Sequence, residues 1–455
     1  MEHKKGSLKS TIIVSLTNYL DAGAIVAGAS GLTLWQNYLG LTEGNLGWLN
    51  AISANCFGAA IGAVIGGFLA DKYGRKTIYT YNMLVYMSGI AVILFSVSFP
   101  MLLLGFLITG ISVGAGVPAS WTYISENSDA GNRGRNIGIS QFAWGVGPAI
   151  ILVLGMLLAP GKTGESAGVL FGFVRKVAAI FLSGDASIEA INVFSSRIIF
   201  GTLFIVALIA WILQRRLDES KDWEEAQLTQ DKEKQPSVFA SFGSLLTNKV
   251  NVRTILFLAG IYVSWNFVAG VMGFFQPHIF ETAGGLSNAQ ANMLPAIQWL
   301  VIIAVTYFGF SMFVDKVNQR WLYFIGSTIG VAAWIILVLV GIKDHLALWS
   351  FTILWGVHAG VSVQAFYALW ASELFPAKYR AAAQGIMFFF VRGLSAIWGL
   401  VFVHIYGKNG EGFEPAAYIM IGLLLFALIT GTIGAPKTRG KTLKQITEER
   451  YGNEI

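Results

Sequence analysis

The sequence predicts an all-α polytopic membrane protein with twelve transmembrane helices in two pseudo-symmetric six-helix bundles. Composition is the first observation behind this class, because 55% of the 455 residues are hydrophobic and only 12% are charged. A soluble domain carries about 25% charged residues, so this chain has too little polar surface for a water-soluble body of its size. The second observation is that apolar runs of bilayer-spanning length recur throughout the chain. The third is that its charged loops repeat.

The apolar runs divide six and six around one polar stretch, which is rich in charge and is predicted to be a solvated linker. The predicted parts are a first bundle at residues 1–214, the linker at 215–252, a second bundle at 253–435 and a tail at 436–455. The twelve predicted spans are residues 10–35, 45–70, 77–97, 100–125, 136–160, 195–214, 253–277, 290–314, 320–342, 346–372, 379–405 and 414–435.

Lysine and arginine are distributed unevenly over the loops between these spans. If the N-terminus lies inside, the inner side collects 24 of the 31 basic residues and the outer side only five. Cytoplasmic loops of membrane proteins carry such an excess. We therefore predict a plasma-membrane protein with both termini and the linker in the cytoplasm. The net charge of +6 then reflects topology, and no nucleic-acid partner is predicted.

One further segment, residues 167–182, is apolar on both sides of Arg175 and Lys176. If it crossed the membrane, every later loop would change sides and the basic linker would face outward. A basic residue at the middle of a span costs about 2.5–3.5 kcal/mol. We therefore expect an amphipathic helix on the outer surface of the membrane instead of a further span.

The charged loops repeat between the two predicted bundles. Asp71 begins a short charged loop after span two, and Asp315 begins a similar loop after span eight, 244 positions later. Glu126 ends span four with Arg133 seven residues on, and Glu373 ends span ten with Arg380 seven residues on. Two independent markers with nearly the same offset predict two halves built on one plan, which is a transporter architecture.

These acids and bases lie at the predicted cytoplasmic ends of helices, where they can form ion pairs. We expect Arg75 to reach Glu126, and Asp71 to pair with Arg133 or Arg135. Such pairs hold helices together while that side is closed and separate when it opens. The alternative is that the bases only extend towards lipid headgroups and water without any gating role. The predicted cytoplasmic gate consists of Asp71, Arg75, Glu126, Arg133, Arg135, Asp315, Arg320, Glu373 and Arg380.

The loop Gly67-x-Leu69-Ala70-Asp71-Lys72-x-Gly74-Arg75-Lys76 resembles the signature loop of the major facilitator superfamily. Other segments resemble the sugar porter family, and they are spread over essentially the whole chain. They are Asn18-Tyr19-Leu20-Asp21, Glu126 with Arg133-Gly134-Arg135, Glu219-Ser220-x-x-Trp223, Ser372-Glu373-Leu374-Phe375-Pro376, and Arg439-Gly440-Lys441-Thr442-Leu443. The resemblance implies the major facilitator fold, which alternates access around a central site.

The chain departs from the sugar porter pattern where that family binds its substrate. Sugar porters usually carry a pair of glutamines in span seven, and this chain has Ser264 and Trp265 followed by Asn266. The glutamine late in span five is replaced by Pro148. Proton-coupled members pair the aspartate of span one with an arginine of span four, and no arginine lies near Phe106. A standard hexose site is therefore not expected.

Two oppositely charged residues lie near the predicted mid-plane of the membrane. Asp21 is about eleven residues into span one, which is roughly 16 Å at 1.5 Å per residue, and Arg392 lies at similar depth in span eleven. Charges at this depth are costly and usually functional. Asp21 is the predicted proton-coupling residue, and Arg392 is predicted to bind Asp21 or an anionic group of the substrate. The alternatives are a contact of Asp21 with nearby backbone and a structural pair of Arg392 within its own half.

Aromatic rings and amides cluster in the second bundle, and their alternation suits a sugar-like or polyol ligand. Asn266, Gln298 and Tyr367 are predicted to line the substrate site, together with Trp265. The family resemblance adds Gln141 and Trp144 of span five. His358 is a second candidate for handling protons, because histidine titrates near neutral pH.

The sequence thus predicts a secondary transporter, with proton symport of a small sugar, a polyol such as a cyclitol, or a sugar-derived acid. The alternatives are an organic-anion or other metabolite transporter that uses Arg392, a facilitative uniporter, and a membrane sensor on the same fold. No enzyme, cofactor or metal site is predicted, because the chain has one cysteine, Cys56, and five scattered histidines. The predicted partners are the substrate, protons and the lipid bilayer, with the protein as a monomer.

Overall fold

The computed structural model describes residues 2–52, 56–161, 167–184, 186–228, 243, 245–286, 288–407 and 410–452. Every regular element within these ranges is a helix. The helices of the first part of the chain are α1 Glu2–Leu39, α2 Glu43–Ile52, α3 Phe57–Tyr73, α4 Arg75–Leu94, α5 Phe99–Glu126, α6 Arg133–Leu158, α7 Phe171–Phe181, α8 Ile188–Gln214 and α9 Lys221–Leu228.

The later helices follow the same order of long apolar segments and short loops. They are α10 Lys249–Thr282, α11 Asn288–Val305 with a π-helical continuation at Thr306–Ser311, α12 Gln319–Val340, α13 His345–Val361, α14 Val363–Glu373, α15 Arg380–Tyr406, α16 Phe413–Gly434 and α17 Leu443–Tyr451. Eleven helical segments of the described chain are long and apolar enough to cross a membrane. We call α1–α8 the first bundle and α10–α16 the second bundle.

Three predicted segments differ from the structure. The span expected at 45–70 consists of two helices, α2 and the 17-residue α3, and residues 53–55 between them lie outside the described part. The span expected at 346–372 is interrupted at Ser362, where a ψ of −136° breaks the helix between α13 and α14. The predicted linker contains α9 and the beginning of α10, while its residues 229–242 and 244 lie outside the described residues.

The segment expected to lie on the outer surface forms the short amphipathic helix α7. Phe171, Val174 and Ala178 are buried on one face, against α8 and α6, while Arg175 and Lys176 are exposed on the other. Eleven residues of helix span only about 16 Å, which is too short to cross a bilayer.

Helix starts follow from local capping residues. Asn248 accepts hydrogen bonds from the backbone of Val250 and Asn251 at the start of α10, and Asn318 does the same for Arg320 at the start of α12. Side chains of this kind satisfy backbone N–H groups that have no partner inside the helix. These capping residues fix where each loop ends and the next helix begins. Charged residues of the loops therefore lie at defined positions relative to the helix ends.

Within the first bundle, α1 packs against α6 and α8, and α5 packs against α3 and α4. Within the second, α10 and α12 pack against α16, and α13 packs against α11 and α12. The bundles meet most extensively where α3 packs against α15 and where α6 packs against α11 and its π-helical end, and α14 and α15 also contact α5. Both joints need glycine. A Cβ at Gly67 would lie 2.5 Å from the carbonyl oxygen of Ala381, and one at Gly138 would lie 2.6 Å from Cβ of Ser311.

Candidate functional site: a central cavity and a charged cluster

A cavity of about 290 Å³ lies between the two bundles and is lined by residues of α1, α6, α10, α11, α13, α14 and α15. Its wall alternates hydrogen-bonding groups with indole rings. The polar lining residues are Ser30, Gln141, Asn266, Gln276, Gln298, Thr306, Gln364 and Arg392, and the tryptophans are Trp144, Trp265, Trp299 and Trp355. The cavity can therefore offer hydrogen bonds and flat apolar surfaces to one small ligand.

Neighbouring helices hold several of these groups in place. Nε2 of Gln276 on α10 donates to Oε1 of Gln298 on α11 at 2.8 Å. The rings of Trp144 and Trp299 lie 5.6 Å apart between centroids, so an indole pair crosses from the first bundle to the second. Nδ2 of Asn266 donates to the backbone carbonyl of Tyr262 at 3.1 Å, which leaves its Oδ1 available.

Six of the residues predicted to bind substrate line this cavity: Arg392, Asn266, Gln298, Gln141, Trp144 and Trp265. Tyr367 does not, and its prediction as a lining residue is wrong. Its ring is fully buried and stacks on Tyr262 with centroids 3.8 Å apart, while Trp121 of the first bundle packs against its edge. The physical reason is packing, because Tyr262 of α10 and Trp121 of α5 cover the ring of Tyr367, one helical turn further along α14 than Gln364.

His358 is also absent from the cavity wall. Its Nε2 accepts a hydrogen bond from Nε1 of Trp265 at 2.9 Å, and its Nδ1 lies 2.9 Å from the carbonyl oxygen of Gly326. A carbonyl can only accept, so Nδ1 carries the proton and the ring is neutral. Both ring nitrogens are thus in use. His358 orients the indole of Trp265 in the cavity wall, which argues against the predicted role in proton handling.

Asp21 lies beside the cavity and is 1% exposed, next to the lining residue Ala22. Its Oδ1 has no hydrogen-bond partner among the described residues. The positive charge that acts on it belongs to Arg392, whose guanidinium also lies 4.8 Å from the ring centroid of Phe388. Asp21 is on α1 and Arg392 on α15, so these two side chains of opposite charge type belong to different bundles.

At one end of the bundles lies a charged cluster formed by Asp71, Arg75, Glu126, Arg133, Asp315, Glu373 and Arg380. Gly74, at a φ of 100°, ends α3 and starts α4, which allows Arg75 to turn back to within 2.9 Å of Asp71. Arg75 also contacts Glu126 through Nε at 3.1 Å and Nη2 at 3.2 Å. The Arg75 side chain is fully buried.

Two ion pairs of the charged cluster cross between the bundles. Nη1 of Arg380 lies 2.5 Å from Glu126, and Nη1 of Arg133 lies 3.0 Å from Glu373. Each bundle therefore contributes one acid and one base to the other. Because all four side chains are buried, separating the bundles here would hydrate four charges that are paired in this structure.

The two aspartates of the charged cluster cap helices of the opposite bundle. Asp71 accepts hydrogen bonds from the backbone N–H groups of Ala381 and Ala382, at 3.3 and 2.7 Å, at the start of α15. Asp315 accepts from Gly134 and Arg135, at 3.1 and 2.7 Å, at the start of α6. Carboxylates are favourable at helix N-termini, where N–H groups are unpaired and the helix dipole is positive.

These contacts change three sequence-based predictions. Asp71 was expected to pair with Arg133 or Arg135, but its partners are Arg75 and the start of α15. Arg135 takes part through its backbone N–H. Arg320 is exposed and donates to the carbonyl of Ile433, so it does not belong to the charged cluster.

The prediction for Arg320 is wrong because this residue is one position away from the place that Arg75 occupies in the first loop. The residue at the position equivalent to Arg75, four residues after the aspartate, is Gln319. Its Oε1 accepts from Nε1 of Trp370 at 3.1 Å and is therefore directed into the second bundle. Residue 320, one position further around α12, points away.

The segments that follow α8 and α16 support the charged cluster from outside. The hydroxyl of Ser220 donates to Glu126, and Nε1 of Trp223 donates to the carbonyl of Asp71 at 2.8 Å. On the other side, the hydroxyl of Tyr451 on α17 donates to the carbonyl of Leu374 at 3.2 Å. The sequence motifs that begin at Glu219 and Arg439 lie in these two segments. They did not reveal the contacts with the charged cluster, because those contacts join residues far apart in the chain.

Burial raises the pKa of Asp315 to about 6, and the repulsion from Glu373 adds to this, while the two backbone N–H groups and Arg133 oppose it. Asp315 lies in the turn between the π-helical segment and α12, outside the predicted spans. Its carboxyl therefore titrates closer to physiological pH than an ordinary aspartate does.

Two helical bundles around a polar cavity, joined at one end by reciprocal ion pairs, define the architecture of a secondary transporter. Residues 11–400 match the Major Facilitator Superfamily. The chain belongs to this superfamily, and it is a multi-pass membrane transporter. The predicted fold class and family resemblance are confirmed.

The chain is 40% identical over 448 residues to the minor myo-inositol transporter IolF of Bacillus subtilis (strain 168), covering 98% of this chain and 94% of the relative. Among solved structures it is similar to the proton:xylose symporter XylE of E. coli bound to 6-bromo-6-deoxy-D-glucose, with a TM-score of 0.76, 18% identity and coverage of 98% and 99%. A variant of the fucose:proton symporter FucP of E. coli gives a TM-score of 0.69 at 15% identity, covering 93% and 99%. At these identities the two symporter structures support the fold alone.

Proposed function

We propose that this protein carries a neutral cyclitol, with myo-inositol as the first candidate, across the plasma membrane by proton-coupled alternating access. The similarity to a myo-inositol transporter over nearly the full length supports the substrate class. The observation that carries the proposal is the cavity, whose amides and indoles lie between the bundles beside two buried side chains of opposite charge type, Asp21 and Arg392.

The chemistry of the cavity wall suits a cyclitol. Amides donate and accept hydrogen bonds and therefore match hydroxyl groups, which also do both. The indoles of Trp144, Trp265 and Trp299 offer flat apolar surfaces for the C–H faces of the ring. A cavity of about 290 Å³ is just below the range of small-molecule sites, which is about 300–1,000 Å³, so it accommodates a single ring.

While Asp21 is ionised, charge balance favours a neutral substrate over an anion. Arg392 lines the cavity, but the field of Asp21 opposes its positive charge. An anionic substrate would compete with Asp21 for Arg392 and leave that carboxylate buried without compensation. A neutral polyol adds hydrogen bonds and leaves the balance unchanged.

The same pair supplies a mechanism of proton coupling. Asp21 takes up a proton while the cavity is open to the outside, and the neutral carboxylic acid no longer attracts Arg392. The guanidinium then turns to the hydroxyls of the substrate, so proton and substrate stabilise the same loaded state. Because Asp21 and Arg392 belong to different bundles, their interaction also changes how the bundles approach each other. Release of the proton inside restores the original attraction.

We propose that the charged cluster is the cytoplasmic gate and that the protein acts as a monomer with both termini in the cytoplasm. The excess of lysine and arginine on this side of the chain supports that orientation. The ion pairs Arg380–Glu126 and Arg133–Glu373 hold the gate closed, so this conformation is closed toward the cytoplasm. Opening separates these pairs and moves α15 away from α3.

Uptake of radiolabelled myo-inositol into proteoliposomes tests the proposal. We expect accumulation when the inside is made alkaline and loss of accumulation with a protonophore. Uptake that ignores the protonophore would instead make the protein a facilitative uniporter. Absence of both binding and uptake of myo-inositol and of related sugars would overturn the proposed substrate class.

Asp21→Asn tests the coupling directly. It removes the titrating group, so counterflow exchange of myo-inositol should continue while gradient-driven accumulation is lost. Retained accumulation in this variant would exclude Asp21 from the mechanism.

A second candidate function, transport of an organic anion, is favoured by the position of Arg392 in the cavity wall. Competition between myo-inositol and a sugar acid of similar size distinguishes the two. If the substrate is an anion, Arg392→Gln should weaken the sugar acid more than the neutral polyol. Under the cyclitol proposal, the sugar acid competes poorly with the unmodified protein.

A further inference from the structure

Gln364 is a cavity residue that the sequence motifs did not indicate. It lies at the beginning of α14, two residues after the helix break at Ser362, and is 7% exposed. Its Oε1 accepts a hydrogen bond from the hydroxyl of Tyr262 on α10 at 2.8 Å. Its Nε2 donates to Oε1 of Gln141 on α6 at 3.3 Å.

Tyr262, Gln364 and Gln141 thus form a hydrogen-bonded row, which we call the amide row. It begins in the second bundle and ends in the first. Two of its three members, Gln364 and Gln141, line the cavity. A ligand that contacts the amide row therefore contacts both bundles through one set of hydrogen bonds.

The row ends in an unused donor. Nε2 of Gln141 has no hydrogen-bond partner within the described part of the chain, although the residue is only 4% exposed. A buried polar group without a partner is unfavourable, and here it belongs to a residue that lines the cavity. The adjacent bond between Gln364 and Gln141 is long for an N–H···O hydrogen bond, which usually measures about 2.7–3.2 Å. A hydrogen-bond acceptor that enters the cavity can pair with Nε2 of Gln141. It can also replace the long hydrogen bond between Gln364 and Gln141.

The other end of the row is rigid. The ring of Tyr262 stacks on Tyr367 at 3.8 Å and lies 6.1 Å from Trp265, both between centroids. Its hydroxyl therefore has a defined position, and it engages Oε1 of Gln364. The NH₂ group of Gln364 is consequently directed away from Tyr262, toward Gln141 and the cavity.

We propose that Gln364 is a specificity-determining residue that, together with Gln141, reads two neighbouring hydroxyl groups of the substrate. This inference rests on the proposed function for the identity of the substrate as a polyol. One hydroxyl oxygen accepts from Nε2 of Gln141, and the next accepts from Nε2 of Gln364 in place of Oε1 of Gln141. A site built to bind a hydroxyl discriminates strongly against an analogue that lacks it, because its polar groups are then left unpaired.

The test compares the binding of myo-inositol and of its monodeoxy analogues to the purified full-length protein, by competition against radiolabelled myo-inositol. For the unmodified protein we expect one or two deoxy positions to bind about tenfold or more weakly. In Gln364→Ala, myo-inositol should weaken about tenfold, and removal of one of those hydroxyls should then cost nothing further. The other analogues should keep their order.

Gln364→Met keeps about the same side-chain length but removes the NH₂ group and the acceptor for Tyr262, so it should lose the same discrimination while filling the same space. Gln214→Ala is the matched control, because Gln214 is a fully buried amide inside the first bundle that donates to Thr17 at 3.0 Å, away from the cavity. It should shift all ligands equally or not at all. Thermal unfolding of each variant shows whether it is folded.

Equal weakening of all analogues by Gln364→Ala and Gln364→Met would make Gln364 a structural residue and overturn this inference. So would unchanged discrimination in both variants. In either case myo-inositol would still bind the unmodified protein, and the proposed function would stand. If the unmodified protein binds no member of the series, the proposed function and this inference both fail.

Discussion

The charged cluster contains two acidic centres that occupy equivalent positions but are built differently. Glu126, at the end of α5, contacts two guanidinium groups, those of Arg75 and Arg380, and the hydroxyl of Ser220. Glu373, at the end of α14, forms an ion pair with Arg133, and its Oε2 has no hydrogen-bond partner among the described residues. Both halves of the repeat therefore have a glutamate at this position, but the two glutamates have different partners.

The difference traces to one position in each half. Arg75 follows Asp71 by four residues and turns back to Glu126, whereas Gln319 at the equivalent place turns toward Trp370. The helix caps formed by Asp71 and Asp315, in contrast, are nearly the same in both halves. The two halves therefore share the capping of a helix start by an aspartate, but they differ in the number of ion pairs that the glutamate forms. We infer that the Glu373 side separates first when the gate opens.

Among substitutions in the charged cluster, Glu126→Gln should have the largest effect on stability and on opening of the gate. It removes the carboxylate partner of the buried Arg380 and leaves the buried Arg75 with Asp71 alone. Breaking a buried pair by removing one partner costs about 3–5 kcal/mol. We expect a lower unfolding temperature and a shift toward the form open at the charged cluster. The distance between spin labels at the exposed positions Gly131 and Lys378, in a Cys56→Ser background, measures the opening.

Glu373→Gln should act in the same direction but less strongly. Arg133 would lose its carboxylate yet keep the carbonyl of Lys441, 3.4 Å from Nη1. Because only Arg133 loses a carboxylate, the expected cost lies at the lower end of the range of about 3–5 kcal/mol for a broken buried pair. The same two spin labels give the ranking of the two variants. An effect equal to or larger than that of Glu126→Gln would contradict the inferred order of separation.

Gln319→Arg should make the second loop resemble the first. The new guanidinium is expected to reach Glu373 and Asp315, as Arg75 reaches Glu126 and Asp71. The closed form would gain about 1 kcal/mol, and steady-state transport would slow several-fold because opening becomes harder. Gln319→Met, which also removes the amide that Trp370 binds, is the control. Faster transport in the arginine variant would argue against this equivalence of the loops.

The balance between closed and open forms should depend on pH through Asp315. Its pKa is about 6 in the closed form, raised by burial, and near the ordinary value of about 3.9 once hydrated by opening. The closed form then binds more protons between about pH 4 and 6. Lowering the pH from 7 to 5 should therefore favour the closed form, by at most about tenfold.

The spin-label distances measured as a function of pH test this expectation. Asp315→Asn should remove the part of the pH response that falls between about pH 4 and 6, while Glu373, Arg133 and the start of α6 remain opposite the side chain. An unchanged profile in Asp315→Asn would assign the response to other groups of the charged cluster.

Arg320→Gln should have the smallest effect. The side chain is exposed and bonded only to the carbonyl of Ile433 in the contacts described, so we expect a change below about 0.5 kcal/mol in stability and unchanged transport. A loss comparable to that of Glu373→Gln would restore Arg320 to the gate and contradict the register seen in the structure.

The class of the protein, most of its spans and the repeated acids were determined by the sequence alone. Hydropathy and loop charge are properties of contiguous segments, so no tertiary information is needed to read them. The same holds for the candidate pair Asp21 and Arg392, because a charge within a long apolar run is visible in the sequence. Gln141 and Asn266 were found through the position of their motifs in the chain.

Only the tertiary structure decided which groups meet. It shows that Gln364 lines the cavity, whereas Tyr367 and His358 do not. It also shows that Asp71 contacts the start of α15. The physical reason is that α14 is buried on all sides, so its sequence carries no amphipathic pattern that tells which side chain faces the cavity. That choice depends on the packing of helices far apart in the chain.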